Sequence, residues 1–299
     1  MKNALNQWLF VPLGILSLSL YTGCNSTQPQ ESKSTQGQDS VAQPTIESTM
    51  EDTLSYRDVG FGLFNNLRNQ IILIDDEERP ADKKKLKHAW VNAQSYKLEF
   101  TKTQKEGNTY NGRQTPDNFD NIPGAVFTLT EQAKPDEAYV LLCSDVFLKN
   151  RKPLTIKNNF ADASSSSVTS ELKKTYNRSI TNAKLIATTS QKDSVFLMQL
   201  APVADSLTVV LVAKTNATST LFIQEFNAEY NEMSTWRVDD GGEFPMEDFT
   251  ILNAFEHYGK IELATSFPGA EGGNLSFIAP DAQNRYQYIK EAYVYWSPL

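Results

Sequence analysis

Apolar residues in this chain come in short runs broken by polar and charged turns. In Leu207–Ala213, one face carries Leu207, Val209, Leu211 and Ala213, and the other Thr208, Val210 and Val212. A sheet with one face in water would alternate apolar with polar positions, so this run needs cover on both sides. Leu185–Leu197 and Leu211–Ile223 each read strand, polar turn, strand. They match at an offset of 26 residues, with Leu, Ala, Thr and Phe identical. That match is either a true repeat or the recurring grammar of a β-meander. Phe127–Leu142 has the same form around Lys134-Pro135-Asp136-Glu137.

The remaining elements follow from the same pattern. Gln70–Ile74 is a buried-strand signal bounded by charge, and Asp82–Asn92 reads as a short helix. Further strands are expected at Thr235–Val238, Phe249–Phe255, Lys260–Thr265, Asn274–Ala279 and Tyr286–Trp296. Asp239–Gly242, His257–Gly259 and Gly269–Gly273 separate them as turns. Ser164–Ser167 followed by Val168–Tyr176 predicts a loop and a short helix, with Ser at the N-cap and Glu171 in the first turn. The expected fold class is mainly β: stacked antiparallel meander sheets, propeller-like or sandwich, with one or two short helices. The body, residues 53–299, is long enough for one large β domain or for two subdomains meeting near 160–178.

The N-terminus is of another kind. Lys2 precedes an apolar run, Trp8–Leu20, which ends in Thr22-Gly23-Cys24. The run is too short for a membrane helix, which needs about 20 residues, and Pro12 and Gly14 weaken it further. Residues 25–49 then hold fourteen Ser, Thr or Gln and no aromatic residue. Such a composition cannot bury enough surface to offset ordering entropy, and as a flexible coil it would span roughly 30 Å. Residues 1–24 resemble the signal peptide and lipobox of a bacterial lipoprotein precursor. The resemblance implies removal of residues 1–23 and lipidation of Cys24. Residues 24–52 would then be a lipidated, disordered tether holding the body at a bacterial cell-envelope membrane, in the outer membrane or on a periplasmic face. The other reading of this segment is a secretory signal that is cut and lost. No family is recognised for the body.

Charge and cysteine content narrow the function. The net charge is −8 and becomes −9 without residues 1–23, where Lys2 is the only charged residue. An acidic chain repels phosphate backbones, so no nucleic-acid partner is expected. The one basic cluster, Lys83–Lys87, follows Asp75–Glu78 and reads as a self-neutralising surface segment. With Cys24 carrying a lipid, Cys143 has no partner. It ends the apolar run Ala138–Cys143, where a buried inert thiol is expected. The two histidines, His88 and His257, read as surface or structural, and no metal site or cofactor is expected.

Candidate chemistry is sparse. Ser170-Glu171-Leu172-Lys173 fits S-x-x-K, but Ser144-Asp145-Val146 and Lys214-Thr215-Asn216 do not complete the companion motifs. It reads instead as a helical turn with a surface lysine. Asp239, Asp240 and Glu243, with Trp236 nearby, form the acidic turn where a ligand would be sought first. A plain hairpin turn is the competing reading there. Asp117–Asn121 is a second acidic loop with spacing unlike a calcium loop, and Gly60-Phe61-Gly62 is only half of a dinucleotide fingerprint. The expected role is non-catalytic binding or structural, with a protein or glycan partner. The alternative is an envelope or glycan hydrolase using Asp/Glu pairs.

Overall fold

The computed structural model describes residues 54–75, 78–135, 137–204, 206–229, 244–269 and 271–297. All belong to one compact unit, Met50–Leu299. It is mainly β and its strand pairs are antiparallel. The chain first builds a closed barrel from β1 (Val59–Phe64), β2 (Gln70–Ile74), β3 (Leu86–Val91), β4 (Gln94–Gln104), β5 (Gly124–Leu129) and β6 (Tyr139–Ser144). The order around it is β1-β2-β5-β4-β3-β6. A short helix α1 (Asp145–Leu148) leads out to β7 (Lys152–Leu154).

Next comes a five-stranded outer sheet of β8 (Ile156–Asp162), β9 (Ile180–Thr189), β10 (Ser194–Val203), β11 (Ser206–Lys214) and β12 (Leu221–Glu229) in plain meander order. Helix α2 (Ser167–Tyr176) lies in the connection from β8 to β9, so the segment near 160–178 joins two neighbouring strands of one sheet. The last sheet is β13 (Thr250–His257), β14 (Lys260–Pro268), β15 (Gly272–Pro280) and β16 (Tyr286–Tyr295), with β7 added at the β13 edge.

This last sheet is the middle layer. One of its faces shares a core with the outer sheet: Ile251, Leu263 and Ile278 pack with Leu197, Val209 and Phe222. Its other face carries Phe255, Leu275, Phe277 and Val294, which pack against the outside of the barrel at Val59, Phe61, Trp90 and Leu141. The outer sheet also has two apolar faces. Phe196, Met198, Val210 and Val212 lie under Val168 and Leu172 of α2. All of Leu207–Ala213 is therefore buried, as its two-faced pattern requires. The two strand–turn–strand segments that match at a fixed offset are consecutive hairpins, β9–β10 and β11–β12.

The barrel interior is filled by residues from all six strands, among them Phe64, Ile71, Leu86, Tyr96, Phe127 and Leu142. Gly60 and Gly62 alternate with the outward-facing Val59, Phe61 and Leu63. A Cβ on Gly62 would meet Ile71 Cγ2 at 2.3 Å and Leu142 Cδ1 at 3.2 Å. The Gly60-Phe61-Gly62 sequence is thus a tight barrel wall in mid-strand and not a phosphate loop.

Three local expectations are corrected. Asp82–Asn92 is not a helix: a turn at residues 83–85 leads into β3, whose Ala89 and Trp90 pair with Leu142 and Leu141 of β6. Closure of the barrel overrides the local helix propensity of the Lys/Leu/Ala-rich segment. Phe127 and Leu142 lie on strands that do not pair with one another, because β5 pairs with β2 and β4 while β6 pairs with β1 and β3. The polar link between them crosses an end of the barrel and is no hairpin turn. Helix α2 starts one residue early, capped by Ser166, whose Oγ accepts from the Thr169 amide. Glu171 therefore falls beyond the first turn. The expected strand Thr235–Val238 lies outside the described residues.

Replacing Gly62 with Ala should destabilise the fold by about 1–3 kcal/mol through overpacking. The urea midpoint should fall with its slope unchanged, and an unmoved midpoint would show that the barrel wall has room there.

Candidate functional site

The acidic turn with Asp239, Asp240, Glu243 and Trp236 lies outside the described residues, and so does Cys24. Glu247 and Asp248, which follow that turn, sit exposed in the 3₁₀ turn Met246–Asp248. The second acidic loop is a 3₁₀ turn over Pro116–Asn121 held by its own amides. Asn118 Nδ2 donates to Asn111 Oδ1 (2.9 Å) and to the Arg113 carbonyl (2.8 Å). Among the described residues, no group of three or more His, Cys, Asp or Glu side chains is placed to hold a metal ion. Ser170 and Lys173 are exposed on α2, and the Ser170 hydroxyl turns back to the Ser166 carbonyl (3.4 Å). Ser144 caps α1 and donates to Asp58 Oδ1 (3.2 Å). Lys214 reaches Ser167 Oγ (3.4 Å) at the start of α2. The serine and lysine of the S-x-x-K motif therefore make no hydrogen bond with each other, and the Lys214 contact is a long one to a different serine.

Both histidines have carboxylate partners that linear sequence does not reveal. His88 Nε2 lies 2.8 Å from the exposed Asp145 on the surface. His257 belongs to a buried cluster. Its Nδ1–H donates to Glu262 Oε1 (2.8 Å), and Arg151 grips the same carboxylate through Nε (2.6 Å) and Nη2 (3.0 Å). Arg151 also covers the Phe147 ring and donates to the Phe147 carbonyl (3.0 Å). Glu262 alternates with Ile261 and Leu263, which face the outer sheet, and so points to the barrel side. The cluster therefore ties α1, at the barrel exit, to the middle sheet. Burial would raise the Glu262 carboxyl, but hydrogen bonds from His257 and Arg151, with their charges, outweigh it and hold the group below its ordinary range. A His–Glu pair can orient a general base. Here Glu262 is committed to Arg151, and no hydroxyl or thiol among the described residues bonds His257 Nε2. The arrangement is a structural pin.

Cys143 is a buried free thiol on β6, in the layer between barrel and middle sheet. Burial pushes it far above the usual thiol range, and the Trp90 and Arg151 side chains oppose that only in part. It is unsuited to nucleophilic work.

A cleft of about 570 Å³ opens where the barrel meets the two flat sheets and has room for a ligand. Four chain segments line it: the β3–β4 turn around Asn92, the β5–β6 link around Glu131 and Glu137, the start of β8 at Asn158, and the start of β13 at Asn253. Asn92 sits at positive φ (41°) in that turn, and its Oδ1 accepts from the Ile156 amide (2.9 Å), fixing the first residue of β8. At the floor, Asn253 is 2% exposed and donates through Nδ2 to the Trp90 carbonyl (3.1 Å). Its Oδ1 is buried and has no partner. On the wall, burial pushes the Tyr139 hydroxyl up to about 12, so it stays a donor, directed to the Gln114 carbonyl (3.2 Å). No family model, no curated protein and no solved structure matches this chain, so the cleft has only its own chemistry to identify it.

The Glu262 pin carries a pH dependence. Its folded pKa is depressed, so its contribution is complete above the unfolded value of about 4.3 and is lost as pH falls through the folded value. Glu262→Gln leaves Arg151 buried without its counter-charge and should cost about 3–5 kcal/mol at neutral pH. It should also flatten the acid limb of stability. Urea midpoints of both proteins across the acid range test this, and parallel acid limbs with little loss at neutral pH would contradict it.

Proposed function

We propose that this chain is a cell-envelope lipoprotein, anchored through Cys24, whose β body serves a binding or structural role and performs no catalysis. The observation that carries the reading is the junction at Gly23-Cys24, where an apolar run stops at a cysteine and a Ser/Thr/Gln-rich tract begins. A tether of that composition suits a folded body held off a membrane surface. Among the described residues, no helix is long and apolar enough to cross a membrane. On this reading the outer and middle sheets act as a sandwich scaffold, and their junction with the barrel presents the cleft. The expected partners are the membrane, through the anchor, and a protein or glycan, with no nucleic acid.

A second reading, an envelope or glycan hydrolase working with paired carboxylates, retains one specific support: Glu131 and Glu137 line the same cleft. The binding reading is preferred because the buried floor is an uncharged amide, and the ionised cluster at Glu262 is already saturated by Arg151 and His257.

Stable attachment takes two acyl signals or more, since one chain binds membranes only marginally. The wild-type protein should incorporate labelled fatty acid and sediment with membranes. Cys24→Ser should carry no label and be released or left uncleaved. Equal labelling of the two proteins would overturn the anchor.

A further inference from the structure

We propose that the cleft between the barrel and the two flat sheets is a binding site for a short, neutral oligosaccharide. This rests on the reading of the body as a binding module and assigns its ligand class. The polar groups lining the cleft fall into two sets. Asn92 Oδ1, Gln132 Nε2, Asn253 Nδ2 and the Tyr139 hydroxyl are committed to the backbone of Ile156, Leu67, Trp90 and Gln114 respectively, and give the cleft a fixed shape. The second set is uncommitted. The Gln94 and Asn158 side chains are exposed and make no hydrogen bond among the described residues, and Asn253 Oδ1 is buried without a partner.

Gln94, Asn158 and Asn253 are all amides. Trp90 Nε1, also in the lining, is a second buried polar atom without a partner among the described residues, so the uncharged part of the open set is amide and indole N–H. A carboxamide offers donors and acceptors without charge, as a sugar hydroxyl does, so the two satisfy each other in either direction. A buried acceptor left unpaired is costly, and in native proteins such a group finds a water or a ligand. Asn253 Oδ1 would be met by a bound hydroxyl or by a water that the ligand holds in place. Charge sets the remaining limit. The cleft carries Glu131 and Glu137 against Lys134, a net negative lining that disfavours phosphorylated or acidic ligands. The cleft volume, about 570 Å³, lies within the range of small-ligand sites.

A peptide added as an extra strand would be the competing occupant, because β8 is an edge strand that borders the cleft. That edge is blocked at its first residue, where the Ile156 amide is already held by Asn92. The register also breaks between Asn158 and Ala161, so the edge offers no continuous row of free backbone groups. A compact ligand read by side chains fits this geometry better than an extended backbone.

The test is calorimetric titration of the full chain in a non-sugar detergent. The probes are maltotriose, cellotriose, xylotriose, mannotriose and chitotriose, with a capped neutral peptide and inorganic phosphate as controls. At least one trisaccharide should bind with Kd of about 1 mM or tighter, and phosphate should not. The double variant Gln94→Ala/Asn158→Ala alters two exposed side chains and should keep the wild-type melting temperature. It should weaken sugar binding about tenfold or more. Asn253→Leu should abolish binding, and its melting curve reports whether it still folds. Peptide binding that is sensitive to the double variant, without sugar binding, overturns the glycan assignment and leaves a binding module. No binding by any probe, with Cys24 still lipidated, overturns the assignment and leaves the anchor intact. Sugar binding that ignores the double variant overturns the placement in this cleft.

Discussion

The middle sheet has two apolar faces, and the rest of the molecule exists to cover them. Ile251, Leu263 and Ile278 need the outer sheet on one side, and Phe255, Leu275 and Phe277 need the barrel on the other. Each fully buried side chain of this kind contributes roughly 1.5–3 kcal/mol relative to exposure. Neither neighbour could leave without exposing an entire layer. The barrel-side contact is aromatic and directional. Phe147 packs edge-on against Phe255 (5.0 Å) and Phe277 (5.3 Å), and Trp90 against Phe255 (5.6 Å). Such pairs add to area burial because ring edges meet ring faces.

Apolar layers alone would tolerate several dockings. Polar links across the barrel face restrict them. Arg151 reaches Glu262, Asn253 reaches the Trp90 carbonyl, and Gln114 exchanges backbone and side-chain bonds with Tyr295. Lys290 on β16 has a side chain with 0% exposure, and its Nζ ends on Asp75 Oδ1 (2.9 Å) and the Arg79 carbonyl beside the barrel. Desolvation offsets much of the Coulombic gain of such pairs. Their main effect is that a shifted docking would strand buried charge. The cleft lies in this pinned junction, so its walls are set by the fold.

Much of the fold was legible because its signal was local. The two-faced run in β11 announced a buried sheet, and the polar turns marked the β9–β10 and β11–β12 hairpins correctly. Strand β3 was hidden because Lys83–Lys87 makes its surroundings look helical, while its reason to be extended lies in Leu141 and Leu142, some fifty residues away. The barrel was hidden for the same reason: its order joins β6 to β1 and β2 to β5, pairings that no window along the chain contains. The cleft comes from four separate segments and has no linear signature. One further signal lies in the sequence itself. Glu262 interrupts Ile261-Glu262-Leu263-Ala264, and a lone acid within an apolar strand demands a buried partner. Sequence could have predicted the partner's existence, though not that it is Arg151, 111 residues earlier.

Shared apolar layers and buried polar links should make barrel, middle sheet and outer sheet one cooperative body with a preformed cleft at their junction. Native-state amide hydrogen exchange in increasing denaturant tests it directly. The most protected amides of β1 and β6 in the barrel, β14 and β15 in the middle sheet, and β10 and β11 in the outer sheet should converge on a single global opening, with one free energy and one denaturant slope. A lower-energy opening that releases the barrel while the two flat sheets stay protected would contradict it, and the cleft would then be a mobile seam between two units.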